Sequence, residues 1–376
     1  MSNIRVDADS QIRLVLWLQL VLINVGSTRI LGVAFFLVPI TIGVLMFFYR
    51  LRYLRIHRDT LSLFFSILLF AFIFRSTVNG LVFTIEFFKD LVIILYNYAM
   101  VRLFQSYKLT TKEYLFIVAL LLFTSIYYLV GRLFGANPLI LTQYIFPGSS
   151  YHLVAWYGLV LVSFVIFSFG PGYKSVLVLF LYLVLCFVLG GRTGVFISLF
   201  VFVIGTVVLG NGKFRFISIS IGVVFSVFLY FIMDTGGVGW FKDVYERGTS
   251  LGPREFIWGC YIDHLNIERF ILGFDKVDIA ACTTQVISRN TVESSLFNLQ
   301  IITGVFSVVL LSIILLKIFA SMRESILFFG VLSAYLFRIS TGEYVFVTVF
   351  DWLMLVFIFY NYGGASLYEK DNLRFR

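Results

Sequence analysis

The chain is a succession of apolar runs, most of them about as long as a bilayer is thick, separated by short polar breaks. A helix needs about 20 mostly apolar residues to cross the hydrocarbon core. Such runs fall near 14–28, 30–49, 60–78, 81–103, 114–134, 151–170, 175–191, 194–210, 216–233, 293–316, 325–341 and 344–361. Within lipid every backbone polar group needs an internal partner, so the pattern predicts an all-α polytopic integral membrane protein. About twelve transmembrane helices are expected in a single membrane domain over 1–376, with one long outer, periplasmic loop over 234–292. The first run, bracketed by Arg13 and Arg29, is short enough to be a tilted or interfacial helix. No A-x-A-like cleavage site follows it, so it reads as a retained span rather than a signal peptide.

Composition excludes the water-soluble classes. Of 376 residues, 60% are hydrophobic and 13% charged, against roughly 25% charged in soluble domains. The net charge of +9 would direct attention to nucleic acid in a soluble protein. Here it reads as topology, because membrane proteins concentrate Lys and Arg on the cytoplasmic side. No CxxC or His/Cys cluster is present, so neither a metal site nor another cofactor is expected.

Arg50, Arg52, Arg55 and Arg58 crowd one short connection, which is therefore expected in the cytoplasm. Alternation from there places both termini and the connections at 104–113, 171–174, 211–215 and 317–324 inside. Seventeen of the 29 Lys and Arg then lie on the cytoplasmic side. The opposite side has a medium loop over 135–150 and the long connection over 234–292. The long one holds Trp240, Trp258, His264 and eight acids with six Lys and Arg. A membrane enzyme or receptor working on the outer face needs such a segment, and a simple channel does not. No inverted repeat of the kind that marks many transporters is visible.

Twelve basic residues fall outside or within the spans: Arg29, Arg75, Lys89, Arg132, Arg192, Lys242, Arg247, Arg254, Arg269, Lys276, Arg289 and Arg338. Ionisable groups at membrane depth are costly and generally face a cavity or a partner. Arginines converging at one depth would bind the paired oxygens of a phosphate or diphosphate, whereas each alone can snorkel or pair with an acid. Glu86, Lys89 and Asp90 share one helical turn and read as an internal ion pair with a positioning role.

Two local patterns stand out. Leu189-Gly190-Gly191-Arg192-Thr193-Gly194 joins two apolar runs with almost no loop, either as a plain tight hairpin or as a turn that presents Arg192 at the outer mouth. The second begins at Gly252-Pro253-Arg254-Glu255-Phe256-Ile257-Trp258, where Pro253 can open a short helix. It continues through Phe270-Ile271-Leu272-Gly273-Phe274 to Glu293-Ser294-Ser295-Leu296, a helix start leading into a run that contains Gly304. Cys260 and Cys282 share the long loop, where an oxidising compartment permits a disulfide, while Cys186 reads as a packed intramembrane thiol.

With its many spans, its GGRTG turn, the P-R-x-x-x-W segment in a long outer loop and the E-S-S-L helix start, the chain resembles the O-antigen polymerase (Wzy) family, related to the O-antigen ligases. The residue-level likeness is confined to about 189–194 and 252–304. Arg132 and Gly148 also match an Arg-x15-Gly spacing known in some of these polymerases, a match that chance explains about as well. Where the ligases carry a His before the late helix, this chain has Glu293.

The resemblance implies a glycosyltransferase of the bacterial inner membrane. It would transfer a growing glycan from undecaprenyl diphosphate onto a new lipid-linked repeat unit at the periplasmic face. The expected partners are the lipid-linked oligosaccharide, the bilayer and a chain-length regulator protein, with no nucleic acid, metal or cofactor. Arg192 and Arg254 would stabilise the diphosphate leaving group, with Arg289, Arg132 and Arg338 behind them. Glu293 would be the general base, with Glu343 next and His152 and His264 as weaker candidates. Trp258, Tyr151 and Tyr344 are candidates for stacking on sugar rings. An O-antigen ligase or a lipid-linked oligosaccharide flippase is the alternative.

Overall fold

A computed structural model describes residues 59–79, 84–105, 108–145, 151–170, 172–208, 253–274, 294–340 and 351–360. The runs near 14–28, 30–49 and 216–233, and most of the loop 234–292, lie outside the described residues. Among those described, the chain is helical throughout and contains no strand.

The helices are α1 (Thr60–Val78), α2 (Ile85–Phe104), α3 (Thr111–Leu133), α4 (Pro138–Ile145), α5 (Tyr151–Phe169), α6 (Tyr173–Leu189), α7 (Arg192–Val208), α8 (Pro253–Asp263), α9 (Ile267–Leu272), α10 (Ser295–Thr303), α11 (Phe306–Glu324), α12 (Ile326–Ser340) and α13 (Asp351–Ile358). Four of them, α1, α3, α5 and α11, are long and apolar enough to cross a membrane. The chain is an all-α, membrane-embedded protein. α5 is uncharged and buried almost continuously from Val154 to Phe167, which places it at the centre of the bundle. Outer helices instead show bulky apolar side chains outward, such as Phe123, 69% exposed on α3. Such surfaces belong against lipid.

Helix starts follow local capping chemistry. Thr84 accepts from the Phe87 N–H at 3.2 Å, and Thr110 with Glu113 forms a reciprocal capping box at the start of α3. The helices then alternate between two ends. At the near end, Arg102 of α2 meets Asp59, and Gln105 donates to the Phe359 carbonyl at 2.7 Å. Tyr360 packs on Phe167 of α5 and Phe167 on Phe328 of α12, tying the same end together. The far end therefore holds the C-termini of α1, α3, α6 and α12 and the N-termini of α2, α5, α7 and α11.

The run expected to cross over 293–316 behaves differently. It breaks at Gly304 into α10 and α11, and the membrane-length helix is α11, which includes Lys317, Arg323 and Glu324. Those residues had been expected in a connection over 317–324, yet Ser325 alone joins α11 to α12. The break has a tertiary cause. Gly304 sits at φ +57°, and the Val305 N–H leaves the helical ladder to donate to the Ile271 carbonyl at 3.1 Å.

At the near end, both Arg102 Nη atoms donate to Asp59, at 2.5 and 2.6 Å. Asp59 also accepts from the Ser62 N–H at 3.0 Å as the cap of α1. Burial works against its charge, but Arg102 and the Ser62 N–H outweigh burial and hold the carboxyl below its usual range. A depressed folded pKa stabilises the fold fully above the unfolded value of about 3.9 and is lost as pH falls through the folded one. Asp59→Ala is expected to lower stability by about 1–2 kcal/mol at pH 7. The gap from wild type, followed by thermal unfolding in detergent, is expected to close below about pH 4. A gap that stays constant down to pH 3 would exclude the ion pair as its source.

Candidate functional site at the far end of the bundle

Arg132 lies in the last turn of α3 and reaches across to the end of α6. Its Nε donates to the Val188 carbonyl at 3.3 Å and an Nη to the Leu189 carbonyl at 3.4 Å. A cation there also complements the negative end of the helix dipole. α6 closes at Gly190, whose φ of +70° is left-handed and whose N–H bonds back to Cys186 and Phe187. Gly191 follows in a space where a Cβ would stand 3.2 Å from His152 Nδ1 and 3.3 Å from the Tyr151 ring. The paired glycines therefore let the α6–α7 turn come down on the first turn of α5.

Arg338 approaches the same turn from the last turn of α12. It is 4% exposed and donates from Nη2 to the His152 carbonyl at 3.0 Å. Its charge also reaches Tyr182 and Cys186 of α6, while Arg132 interacts electrostatically with Tyr151. Two arginines from helices remote in sequence thus meet around Tyr151, His152 and the Gly190–Gly191 turn. The rings of Tyr151 and His152 lie 4.1 Å apart, tilted by 40°. Beneath them Trp156 and Tyr335 pack edge to face at 5.2 Å, giving an apolar floor. In such surroundings a guanidinium acts on an anion far more strongly than in water.

A second assembly docks nearby. Ile257 and Tyr261 of α8, Phe274 just past α9 and Ile301 of α10 form a small core, with Trp258 of α8 and Phe297 of α10 against it. The Tyr261 hydroxyl donates to Gln300 Oε1, and Gln300 Nε2 donates to the Arg269 carbonyl at 3.1 Å and the Phe270 carbonyl at 3.3 Å. Burial raises the Tyr261 phenol well above its ordinary value. Arg75, in the last turn of α1, donates to the Phe274 carbonyl at 2.5 Å, and its charge faces Asp90 together with Lys89. α10 also packs against α12, so this assembly neighbours the helix that carries Arg338.

Of the residues singled out from sequence, Arg132, His152 and Arg338 come together. Trp258 stands edge-on to Phe297, with ring centroids 5.7 Å apart, inside the docked core. His264 is exposed, its Nδ1 2.8 Å from the Cys260 carbonyl. Cys260 is disulfide-bonded and Cys186 is a free, buried thiol; the proposed pairing partner Cys282 lies outside the described residues. Arg192 is the first residue of α7, directly after Gly191, and Arg254 is the second of α8. Arg289, Glu293, Glu343 and Tyr344 lie outside the described residues. Gln300 had not been singled out, and with Asn298 two residues before it in the same helix no signal in the sequence prefers it. No group of three His, Cys, Asp or Glu side chains able to hold a metal occurs among the described residues.

No family model, curated protein or solved structure matches the chain.

Proposed function

We propose that the chain is a multi-pass enzyme that polymerises lipid-linked oligosaccharide repeats at the outer face of the bacterial inner membrane. In this reading about twelve spans cross the bilayer, both termini are cytoplasmic, and the far end of the bundle faces the periplasm beneath the loop 234–292. The observation that carries it is the meeting of Arg132 and Arg338 at one end of the bundle, around Tyr151, His152 and the turn that leads into Arg192. Lipid diphosphates are anionic at the membrane surface, and paired guanidinium donors match their oxygens.

A sugar hydroxyl of the incoming repeat unit attacks the anomeric carbon of the growing glycan. The bond from that carbon to the diphosphate oxygen breaks, and undecaprenyl diphosphate leaves. Glu293 accepts the hydroxyl proton, with Glu343 as the second candidate, while Arg192 and Arg254 bear the charge that develops on the diphosphate. Arg132, Arg289 and Arg338 help hold the donor, and His152 and Trp258 border the acceptor. A chain-length regulator is the expected protein partner.

The test is a deletion strain complemented with wild type or variants, its surface glycans resolved on a gel. Loss of a polymerase leaves a single repeat unit on the lipid core. Loss of a ligase or a flippase leaves none, and that pattern would overturn the assignment. Within the polymerase reading, Arg192→Ala and Arg254→Ala are expected to collapse the ladder to one repeat; normal ladders from both would remove them from the site.

A further inference from the structure

The α8–α9 pair leaves an apolar stripe uncovered. Ile267, Phe270 and Ile271 recur at i, i+3 and i+4 on α9, with Ile262 and Leu265 beside them, and all five are exposed, Ile267 at 81%. A helix pair of 11 and 6 residues, too short to cross a bilayer, with this much uncovered apolar surface needs a covering phase. Its depth says which phase. α1 has 19 residues, roughly 28 Å of helix, close to the hydrocarbon thickness of about 30 Å. The Phe274 carbonyl is held by Arg75 in the last turn of that helix. The chain leaving α9 therefore sits at the level where the hydrocarbon ends.

Laterally the stripe runs into surface of the same character. The Ile271 carbonyl accepts from Val305 at 3.1 Å. The next residue, Phe306, packs its ring 5.5 Å from Phe70 and 6.3 Å from Phe74. Phe70 and Phe74 are themselves exposed on α1. The stripe is thus continuous with the outward apolar face of α1 and α11, two helices of membrane-crossing length. Polar groups sit off the stripe: Asp263, Asn266 and Glu268 are exposed, Glu268 lies about 100° round α9 from Ile267, and Arg269, further round, donates to the His264 carbonyl at 2.8 Å and covers the Phe274 ring.

The geometry points to an interfacial element: α8–α9 lies in the surface layer of one leaflet with Ile262, Leu265, Ile267, Phe270 and Ile271 among the lipid acyl chains. Apolar side chains on one side and charges on the other are what such placement requires. The inference depends on the chain crossing the membrane and not on the reaction proposed above, so either can fail alone.

Nitroxide labels at Ile262→Cys, Ile267→Cys, Ile271→Cys, Asp263→Cys and Glu268→Cys test it. They are introduced into Cys186→Ser protein with the Cys260 disulfide intact, in nanodiscs of phosphatidylethanolamine and phosphatidylglycerol, with Phe123→Cys as the lipid-facing reference. The ratio of oxygen to water-soluble nickel-chelate collisions is expected to be several-fold higher at 262, 267 and 271 than at 263 and 268, approaching the Phe123 value. Equal ratios at Ile267 and Glu268 would overturn the placement. Protection that arises only when two chains share a nanodisc would overturn it too, assigning the stripe to a second copy. Each labelled protein is compared with wild type by thermal unfolding, and Ile267→Trp, read by quenching from shallow doxyl-labelled lipid, gives the same answer without a nitroxide.

Discussion

Gly304→Ala is expected to release α8–α9 from the bundle while leaving the long helices in place. An added Cβ would stand 2.0 Å from the Ile271 carbonyl oxygen and 3.0 Å from the Gly273 nitrogen, and both are backbone atoms that cannot rotate away. The backbone at φ +57° and ψ −135° lies in a region essentially reserved for glycine, which adds about 1–3 kcal/mol for a residue with a side chain. Relieving the clash also breaks the Val305-to-Ile271 hydrogen bond and disturbs those Gln300 makes with the Arg269 and Phe270 carbonyls, at about 1 kcal/mol each. A local destabilisation of about 3–5 kcal/mol follows. Hydrogen exchange should then rise sharply over 253–274 and 295–305 with little change in α5 and α6. Gly273 makes the same approach to the Ile301 carbonyl oxygen at 2.2 Å, so Gly273→Ala should reproduce the pattern. Uniform loss of protection across the bundle would instead mean that the docked assembly and the bundle are one cooperative unit.

If the chain polymerises lipid-linked repeats as proposed, Arg338→Ala is expected to abolish polymer formation without removing the protein from the membrane. Arg338 is buried at the end of α12 and bonded to the His152 carbonyl, so alanine removes a positive charge from a region of low dielectric. In that reading Arg338 helps hold the donor diphosphate, whose charge grows as it leaves, and loss of one positioned donor to such a group typically reduces a rate on the order of 10²–10³-fold. The substitution also strands the His152 carbonyl, at about 1–3 kcal/mol, so stability must be measured beside activity. Arg338→Lys separates the two effects: it keeps the charge but not the forked donor geometry. It is expected to restore most of the stability and part of the ladder. A full ladder from Arg338→Ala would detach Arg338 from the reaction and leave it as a tie between α12 and α5.

Much of the helical frame was legible in the sequence. The runs near 60–78, 151–170 and 175–191 coincide with α1, α5 and α6 to within two residues. Lipid removes alternative backbone partners, so a long apolar run has one stable conformation whatever packs beside it. The helix starts at Thr84 and Thr110 are likewise local, because a cap bonds within three residues. The misplaced helix over 293–316 shows where this reasoning stops. Gly304 was visible, but a glycine in an apolar run does not say whether the helix continues; the Ile271 carbonyl beside it does.

The site divides in the same way. That arginines sit at the ends of apolar runs could be read directly, and so could the paired glycines before Arg192. That Arg132 ties to the end of α6 and Arg338 to the first turn of α5 packed beside it, whereas Arg75 serves the α8–α9 assembly, could not, since all three look alike in sequence. By itself the sequence determined that the chain is helical, that it enters lipid and where the long helices among the described residues run. These follow from composition and from hydrogen bonds closed within a few residues. The tertiary structure alone decided where α10 ends and which arginines meet, because both depend on contacts between segments far apart in the chain, and apolar periodicity carries no information about which helix lies next to which.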